Sequence, residues 1–488
     1  MAASVRLYIY ANKIVRILPL LDEQLNEEWI TNKSRFSYDS LNINRINYPK
    51  FKAIGKFIVI SWDFAINLFF YYIRKTIIKN QNIIASLNYY NDLQTTLSIK
   101  TFFNGFGCSN ISYNLKNISW IFDFSNYIYL NHLIEDIELI NFFLFISCDL
   151  RLESPLLNIR IKKNFNLNKN NELFLYSYGL SLNNSTYPIK NLGNSIFKFI
   201  GFLEGKQRFS CDFFFKNFYT FKHLNVNYKY YNNPAFFLGN SIINRKDSKS
   251  FLTSFVYFLK NKFNFITFNL VSSFLGFYSY SNLIGNVLVN DKNIGFLYNF
   301  SDNSINTTKI EDYFFVYQGF IKNSIYFDSD LILPSNAIYE FDSIFINLEG
   351  RYRFSKQSIK SFTGIYSDWE IINLLNLFNK KKNLLKVSFF IKFYQVLKYL
   401  VKVLSYYCNF FLSSNFFNFE LFYHTGYSNK KLLNKKYNDL IIFFYGFSKF
   451  QNSFFNTFIN NYYASDFFVK NSKIMSFCAL KKYRIFKA

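Results

Sequence analysis

Short, uninterrupted apolar runs recur along the chain, and each of them ends at small or polar residues. They occupy residues 142–146, 173–176, 235–238, 294–298, 313–317 and 331–333. Runs that are too short for helices yet apolar on both faces are typical of parallel strands covered on both sides. The pattern therefore predicts an α/β fold with open, mostly parallel sheets flanked by helices, and polar loops at the carboxyl edges of the sheets.

The clearest helical pattern begins after Ser61, which is a favourable N-cap residue. Apolar side chains then recur at helical spacing, at Trp62, Ala65, Ile66, Phe69, Phe70 and Ile73. This spacing places them on one face of a helix. Trp62 and Phe69 are therefore interpreted as core residues and not as contacts to a cofactor.

The pattern changes beyond about residue 375, where three lysines at 380–382 precede a stretch of lysines spaced among apolar residues. This stretch favours a helical or mixed C-terminal extension. No tandem repeat is visible at a fixed period.

Composition indicates codon bias more than function. The chain has 488 residues with 66 Phe and 39 Tyr but only 16 Gly and 6 Pro, which excludes a disordered or collagen-like protein. The over-used residues have A/T-rich codons, as is typical of organelle genomes, and a protein encoded there needs no import sequence. The same bias accounts for the net charge of +25. A nucleic-acid-binding protein is an alternative that rests on this charge alone, and the charges are scattered.

Two parts of the sequence resemble targeting or transmembrane segments. Residues 1–21 carry three basic residues and no acid, as a mitochondrial presequence would. Residues 57–73 and 403–419 lack Lys and Arg, but Asp63 interrupts the first stretch and polar residues interrupt the second. Both are short for a transmembrane helix, and we expect none.

No motif identifies catalysis or metal binding. His132, His223 and His424 each lack a second His or a Cys at ligand spacing, and no HExxH, P-loop, GxSxG or GxGxxG motif occurs. Each histidine is interpreted as a surface or core residue. The sequence therefore predicts no catalytic, cofactor-binding or metal-ligating residue.

Two cysteines have competing interpretations. Cys148 follows an apolar run, so it is expected in a loop at the carboxyl edge of a sheet, where a reactive or metal-ligating thiol is one interpretation. A buried, inert thiol is favoured because no His or second Cys lies nearby. Cys108 follows Gly105 and Gly107, which we interpret as a helix-to-strand turn in preference to a phosphate-binding loop.

A cluster of acids near the N-terminus includes an i, i+4 pair on what we interpret as a helix. Its members are Asp22, Glu23, Glu27 and Glu28. We expect a solvated or interface face there, without acid catalysis.

The segment at 12–36, NKIVRILPLLDEQLNEEWITNKSRF, resembles part of the large iron–sulfur subunit of respiratory complex I, the seventy-five-kilodalton subunit. Further matches follow in order, at SWDFA (61–65), RLESPLLNIRIKK (151–163), FFLGN (236–240), VYQGF (316–320), SDLILPSNAIYE (329–340) and INLEGRYR (346–353). The last three form the most specific block. Within it, Pro334 is expected to end a strand, Gly350 to allow a tight turn, and Glu349 and Arg351 to fix neighbouring loops through ion pairs.

The resemblance covers about residues 4–377 and makes the basic N-terminus part of the fold. It implies a β-rich N-terminal segment at 1–50, a molybdopterin-oxidoreductase-like α/β domain at 51–377 and a lineage-specific C-terminal extension at 378–488. The cysteine-rich iron–sulfur domains of the family are expected to be absent. Hence we expect no cofactor in this chain, with the iron–sulfur clusters on a separate partner polypeptide encoded by a split gene.

Related molybdenum enzymes hold a pterin dinucleotide at glycine-containing loops after such strands. Here those loops read Ser-Cys-Asp-Leu at 147–150 and Asn-Phe-Ser-Asp at 299–302. A Cβ crowds a phosphate, so dinucleotide binding is expected to be poor or absent.

The resemblance implies a non-catalytic structural subunit in the matrix arm of mitochondrial complex I, NADH:ubiquinone oxidoreductase. It would carry no redox centre, contact other matrix-arm subunits, bind no nucleic acid and reach the inner membrane only through the complex. Encoding in the mitochondrial genome is expected. The alternative is an active molybdopterin-dependent oxidoreductase.

Overall fold

The structure is a computed structural model. It describes residues 2–87, 91–108, 111–113, 133–140, 142–167, 174–179, 187–203, 234–243, 245, 251, 266–268, 294–300, 313–349, 351–381, 461–464 and 467–485. The three histidines and the lysine-rich stretch at 382–402 lie outside these residues.

The described strands, in chain order, are β1 (Val5–Tyr10), β2 (Lys13–Pro19), β3 (Lys50–Ala53), β4 (Lys56–Val59), β5 (Asn82–Leu87), β6 (Ile111–Tyr113), β7 (Phe142–Ile146), β8 (Phe174–Tyr178), β9 (Lys190–Gly193), β10 (Pro234–Leu238), β11 (Ile266–Phe268), β12 (Ile294–Asn299), β13 (Phe314–Gly319), β14 (Leu331–Pro334), β15 (Ser343–Ile346) and β16 (Tyr352–Ser355).

The described helices are α1 (Asn32–Phe36), α2 (Trp62–Ile78), α3 (Leu93–Gly105), α4 (Leu150–Glu153), α5 (Pro155–Leu167), α6 (Ile196–Leu203), α7 (Asn240–Ile243), α8 (Ser324–Asp328), α9 (Asp368–Lys381), α10 (Phe467–Asn471) and α11 (Lys473–Ile485). Three 3-10 turns occupy Ser37–Asn42, Glu135–Leu139 and Tyr462–Ala464.

Two open sheets form the main body, which confirms the predicted α/β class. One has the strand order β4-β3-β14-β13-β12-β5-β6, and only β3 and β4 run antiparallel to their neighbours. The other has the order β11-β10-β7-β8-β9, with all pairs parallel. The chain leaves the first sheet after β6, builds the second sheet, and returns to place β12 beside β5. Each sheet therefore has a switch point, one between β5 and β12 and one between β7 and β10.

Helix α2 forms as its pattern predicts. The Ser61 hydroxyl accepts a hydrogen bond from the Phe64 backbone N–H at 3.4 Å and caps the helix. The Phe69 ring is fully buried and meets the rings of Phe296 and Tyr298 edge-on, each at a centroid distance of 5.2 Å. Trp62 is half-buried against the same core and donates its indole N–H to a backbone carbonyl, so both residues are confirmed as structural.

The apolar runs form strands, but several strands extend past the predicted ends. The strand at β13 includes Gln318 and Gly319, and β8 includes Ser177, which the pattern placed in loops. The Gln318 and Ser177 side chains are buried, and Gln318 is hydrogen-bonded to Tyr298 and Asp368. The helix-to-strand turn is confirmed, since α3 ends at Gly105 and Gly107 adopts φ +71° before β6. The chain also leaves the sheet at Pro334, as expected.

The acidic cluster does not form the expected helix. Residues 22–28 form a tight turn, in which Asp22 and Glu27 pair as an isolated antiparallel bridge and Glu27 adopts φ +49°. We call residues 22–28 the acidic turn. The Asp22 and Glu27 side chains contact distant segments of the chain. The bridge between these two residues takes the place of the expected helix.

Two antiparallel units and the C-terminal helices complete the described fold. The β1–β2 hairpin buries Ile14 and Ile17 in a small apolar cluster, and β15 pairs with β16. Helix α11 packs beside α1, where the Ser472 hydroxyl donates to the Phe36 carbonyl at 3.5 Å. Among the described residues, no helix is both long enough and apolar enough to cross a membrane.

Candidate functional site

The carboxyl edge of the five-stranded sheet is the first candidate site, because ligands of open α/β sheets bind at switch points. Here the loops after β7 and β10 touch each other. The Ser147 and Ser241 hydroxyls lie 2.6 Å apart, and the Ser241 hydroxyl also donates to the Ser147 carbonyl at 2.9 Å. Gly239 lies so close that an added Cβ would be 1.9 Å from that carbonyl oxygen. Protein atoms therefore fill the space directly between the ends of β7 and β10.

Cys148 directly follows Ser147 in the loop after β7, as predicted, and is buried. Burial favours the inert interpretation of its thiol. Cys108 is partly buried, and burial raises the pKa of its thiol. No group of three or more His, Cys, Asp or Glu side chains is arranged to hold a metal in the part of the chain that the structure describes.

The switch point of the seven-stranded sheet, between β5 and β12, is the second candidate site. A backbone hydrogen bond also joins its two sides. The backbone N–H of Phe300, just beyond β12, donates to the Ser86 carbonyl of β5 at 2.8 Å. Below it, the Tyr298 hydroxyl donates to the Gln318 side-chain oxygen, and the Gln318 amide donates to Asp368 Oδ1 at 2.7 Å. These polar groups connect β12, β13 and the start of α9.

Two carboxyls, buried Asp92 and partly buried Asp368, lie at this edge, and no sequence motif marked either of them. Burial is the main cause that raises the pKa of Asp92 to about 7, and the nearby Asp368 raises it further. Burial likewise raises the pKa of Asp368 to about 6, against the hydrogen bonds from Gln318 and Ser335. Asp92 caps α3 by accepting from the Thr95 N–H at 3.3 Å. Both pKa values therefore lie well above the usual value of an aspartate carboxyl.

Helix α9 presents a buried polar stripe that sequence analysis also missed. Its buried polar atoms without a hydrogen-bond partner within the described residues include Trp369 Nε1, both amide atoms of Asn373, Asn376 Nδ2 and Asn379 Oδ1. Unpaired buried polar atoms are costly and commonly bind enclosed water. The helical spacing of these asparagines was the available signal, but it is hidden in a chain that uses Asn everywhere.

The acidic turn is where the segments that carry the resemblance meet. Arg160 on α5 is 4% exposed at its side chain and donates from Nε to the Leu25 carbonyl at 3.3 Å. It also donates to the Glu23 carbonyl, and its Nη1 lies 3.6 Å from Glu27 Oε1. Lys163 Nζ lies 2.8 Å from the same Glu27 oxygen.

A second set of contacts reaches the acidic turn from the closing block. Arg353 Nη2 lies 2.9 Å from Asp22 Oδ2, and Arg351 Nη1 donates to Gln24 Oε1 at 2.8 Å. Burial raises the pKa of Asp22, but hydrogen bonds from Ser4 and Arg353 outweigh burial and hold that pKa below its usual value. Asp22 and Glu27 thus contact other segments of this chain, while Glu23 and Glu28 are exposed; whether the acids face another subunit stays a prediction.

The expected pair of Glu349 and Arg351 also forms, with Arg351 Nε 3.1 Å from Glu349 Oε2. Glu349 Oε1 accepts from the Ile134 backbone N–H at 2.6 Å, so the pair fixes a neighbouring loop as predicted. The turn expected at Gly350 lies outside the described residues.

Two family models match the chain. Residues 45–376 match molybdopterin oxidoreductase. Residues 2–39 match the NADH-ubiquinone oxidoreductase NDSU1/NuoG-like 4Fe-4S domain.

Named relatives are consistent with both models and confirm the resemblance drawn from the sequence. The chain is 29% identical to the NADH-ubiquinone oxidoreductase 75 kDa subunit of Reclinomonas americana, over 78% of this chain and 56% of that protein. It is 28% identical to the protein of the same name from Acanthamoeba castellanii, over 98% of this chain and 64% of that protein. The mitochondrial NADH-ubiquinone oxidoreductase 78 kDa subunit of Candida albicans is 27% identical, over 77% of this chain and 50% of that protein. The chain thus spans between about half and two thirds of these relatives.

The fold is similar to that of acetylene hydratase from Pelobacter acetylenicus. The TM-score is 0.52 at 12% identity, over 76% of this chain and 67% of that chain. This likeness concerns the fold alone.

The match at residues 2–39 corrects one expectation. We predicted that this chain carries no cofactor and lacks the iron–sulfur domains of the family, and the match to a 4Fe-4S domain contradicts that. The physical reason for the error is that iron–sulfur domains were sought through cysteines, and residues 2–39 contain none. A 4Fe-4S cluster needs thiolate ligands, so this segment does not itself supply the ligands.

The pterin dinucleotide of molybdopterin oxidoreductases does not fit the described β7/β10 edge. A phosphate there would have to displace both Ser147–Ser241 contacts and separate the Gly239 backbone from the Ser147 carbonyl. We therefore derive no reaction step through that group.

The closed β7/β10 edge predicts that Gly239→Ala is severely destabilising. The new Cβ meets backbone, which cannot rotate away, so we expect a loss of about 3 kcal/mol or more. The control is Gly55→Ala, where φ is +75° but no atom lies within 4 Å; strain alone should cost about 1 kcal/mol there. Urea unfolding of the full chain measures both. Equal losses in the two variants would show that the loops are not in contact.

The buried carboxyls predict a pH dependence of stability. Unfolded aspartates lose their protons near pH 4, whereas folded Asp92 and Asp368 keep theirs to about pH 7 and about pH 6. The folded state therefore binds more protons in between, and the free energy of unfolding falls as pH rises from about 4 to about 7. Asp92→Asn retains an N-cap and cannot ionise, so its fall should be smaller.

Urea midpoints of the full chain between pH 4 and pH 7 measure this slope. The control is Asp63→Asn, which removes an exposed carboxyl at the start of α2 and should retain the wild-type slope. An Asp92→Asn slope equal to that of the wild type would contradict the assignment.

The junction at the acidic turn predicts that Arg160→Met loosens the N-terminal segment. Two backbone carbonyls lose their donor and Glu27 loses one of its two cationic partners, at a cost of about 2–3 kcal/mol. Hydrogen exchange should accelerate across residues 20–28 while β5 and β12 keep their protection. Lys162→Met, on an exposed position of the same helix, should change neither quantity. Unchanged exchange in Arg160→Met would refute the anchoring role.

Proposed function

The chain belongs to the molybdopterin oxidoreductase family, and from this premise we propose that it is a structural subunit of mitochondrial respiratory complex I, NADH:ubiquinone oxidoreductase. In this role it supports the transfer of electrons from NADH to ubiquinone by holding neighbouring subunits in place. The family match and the relatives named as subunits of that oxidoreductase support the proposal.

The closed β7/β10 switch point is the observation that carries the structural role. An active molybdopterin enzyme needs an open crevice there for its cofactor. In this chain, the Ser147–Ser241 contacts and the Gly239 backbone occupy that place. No observation favours the alternative of a molybdopterin-dependent oxidoreductase.

The part of the relatives that this chain does not cover supports a second proposal about partners. We propose that a separate polypeptide supplies that part and docks beside the N-terminal segment. The outer side of the β1–β2 hairpin exposes Tyr8 (40%), Tyr10 (79%) and Val15 (55%), and a two-stranded hairpin needs further cover for independent stability. Other subunits of the complex are the remaining proposed partners.

From the same role we also propose that this chain lies peripherally, on the matrix side of the mitochondrial inner membrane. The codon bias of the sequence supports encoding in the mitochondrial genome. The division at residues 50 and 377 stays a prediction; the alignment with the Acanthamoeba castellanii relative, over 98% of this chain, extends into the last part.

The test is native purification of the complex that oxidises NADH from respiratory membranes. We expect this chain in that complex at one copy, identified by mass spectrometry, with no stoichiometric molybdenum or tungsten in the same band. The N-terminal partner should appear as a further polypeptide in it. Recovery of this chain outside the complex, with one molybdenum or tungsten per chain, would overturn the structural role and establish the alternative.

A further inference from the structure

Helix α2 has two apolar sides, and only one of them is used by the described fold. The inner side is buried in the core through Phe69, Phe70 and Ile73. On the opposite side, Phe64, Tyr71 and Ile78 are 51%, 59% and 80% exposed. We call these three residues the outer stripe of α2. Exposed apolar side chains that line up in this way mark a contact surface.

The three residues of the outer stripe lie on one line along α2. They are seven positions apart, about two helical turns, which keeps them on the same side of the helix. From Phe64 to Ile78 the stripe runs about 21 Å at about 1.5 Å per residue. Because the inner side of α2 is packed in the core, the backbone of the stripe is already ordered before anything binds to it.

Positive charge flanks the outer stripe. Arg74, Lys75 and Lys79 are all exposed, and residues 64–81 contain no acid. No ion pair to these three residues occurs within the described part of the chain, although the Lys75 ammonium lies 5.8 Å from the centre of the Tyr72 ring. Complementary charge on an occupant is therefore negative.

The apolar surface continues onto the edge of the sheet. Strand β4 is the edge strand next to the start of α2, and its Ile58 and Val59 are 54% and 57% exposed. Exposed edge strands are normally covered by a neighbouring element. This edge strand and the outer stripe therefore both expose apolar side chains.

We propose that the outer stripe of α2 binds an amphipathic α-helix of another subunit, whose apolar seam is flanked by aspartate and glutamate. The seven-residue spacing fits the apolar seam, and Arg74, Lys75 and Lys79 fit the acids. The proposal rests on the proposed function only in that a multisubunit assembly supplies the helix.

A lipid surface is the competing occupant, since basic amphipathic helices also bind membranes. The stripe is narrower than a membrane-binding face: exposed Asn67, Arg74 and Lys75 lie between its apolar residues, where a lipid-binding helix carries a broad apolar face. A single narrow seam fits one helix better.

The experiment is lysine labelling and carbodiimide cross-linking of the intact native assembly, read by mass spectrometry. We expect Lys75 and Lys79 to be acetylated at least about tenfold more slowly in the assembly than in the isolated full chain. Exposed Lys162 on α5 is the internal control and should react equally in both. The carbodiimide should join Lys75 or Lys79 to an aspartate or glutamate in a helix of another subunit.

Equal labelling of Lys75, Lys79 and Lys162 in the assembly overturns the proposal. Protection that delipidation abolishes, without a cross-link to an acid, assigns the surface to lipid and also overturns it; a cross-link within this chain does the same. If this chain purifies outside the NADH-oxidising complex, the proposed function fails. The labelling is then performed on whatever assembly contains the chain, and a monomer with reactive Lys75 refutes the helix site.

Variants separate the docking role from folding. Tyr71→Asp and Ile78→Asp change exposed positions, so the urea midpoint of the isolated chain should stay close to that of the wild type. Each should weaken incorporation into the assembly by about tenfold or more, because the seam loses apolar contact. The matched control is Leu167→Asp, which changes an exposed residue (68%) at the end of α5 and should leave incorporation unchanged. Incorporation of Tyr71→Asp at wild-type level would overturn the proposal.

Discussion

The parallel pairing of β5 with β12 is the contact on which the rest of the described structure depends. These strands are separated by the segments that build the entire second sheet, yet they lie side by side in the middle of the first. The Phe300 N–H donates across the gap to Ser86, and the Phe69 ring packs beneath β12. Closing so long a loop costs entropy, which apolar strands buried on both faces offset. The switch point of the first sheet follows from this return of the chain.

At the switch points, the loop residues that follow the strands contact one another, and these contacts fill the carboxyl edges of the sheets. A crevice that binds a dinucleotide must keep backbone N–H groups free for phosphates, and small residues allow that approach. Here the Ser147 and Ser241 hydroxyls satisfy the loop atoms internally, and Gly239 allows backbone to approach backbone. At the other edge, burial raises the pKa values of Asp92 and Asp368. Once these carboxyls ionise, their negative charge repels a phosphate. Closed edges suit a subunit that acts through its surfaces.

The acidic turn joins the N-terminal segment to the α/β body through side chains from distant parts of the chain. Arg160, Arg351 and Arg353 reach it from two segments, and the bonds of Arg160 to backbone carbonyls are largely shielded from solvent. Shielding makes such bonds worth more than exposed ion pairs. Because residues 2–39 match a 4Fe-4S domain, the same contacts attach a piece of that domain to the molybdopterin oxidoreductase body. These contacts therefore hold the N-terminal segment in place against the α/β body.

The sequence by itself determined the class of the sheets, helix α2 with its Ser61 cap, and the turn at Gly107, because apolar periodicity and backbone preference are local properties. It also identified Glu349 and Arg351 as an ion pair. Only the tertiary structure decided that the acids at 22–28 form a bridged turn, that Gln318 continues a strand, and that Asp92 lies beside Asp368. Each of these depends on partners distant in sequence, and burial there changes which hydrogen bonds and which protonation states have the lower free energy.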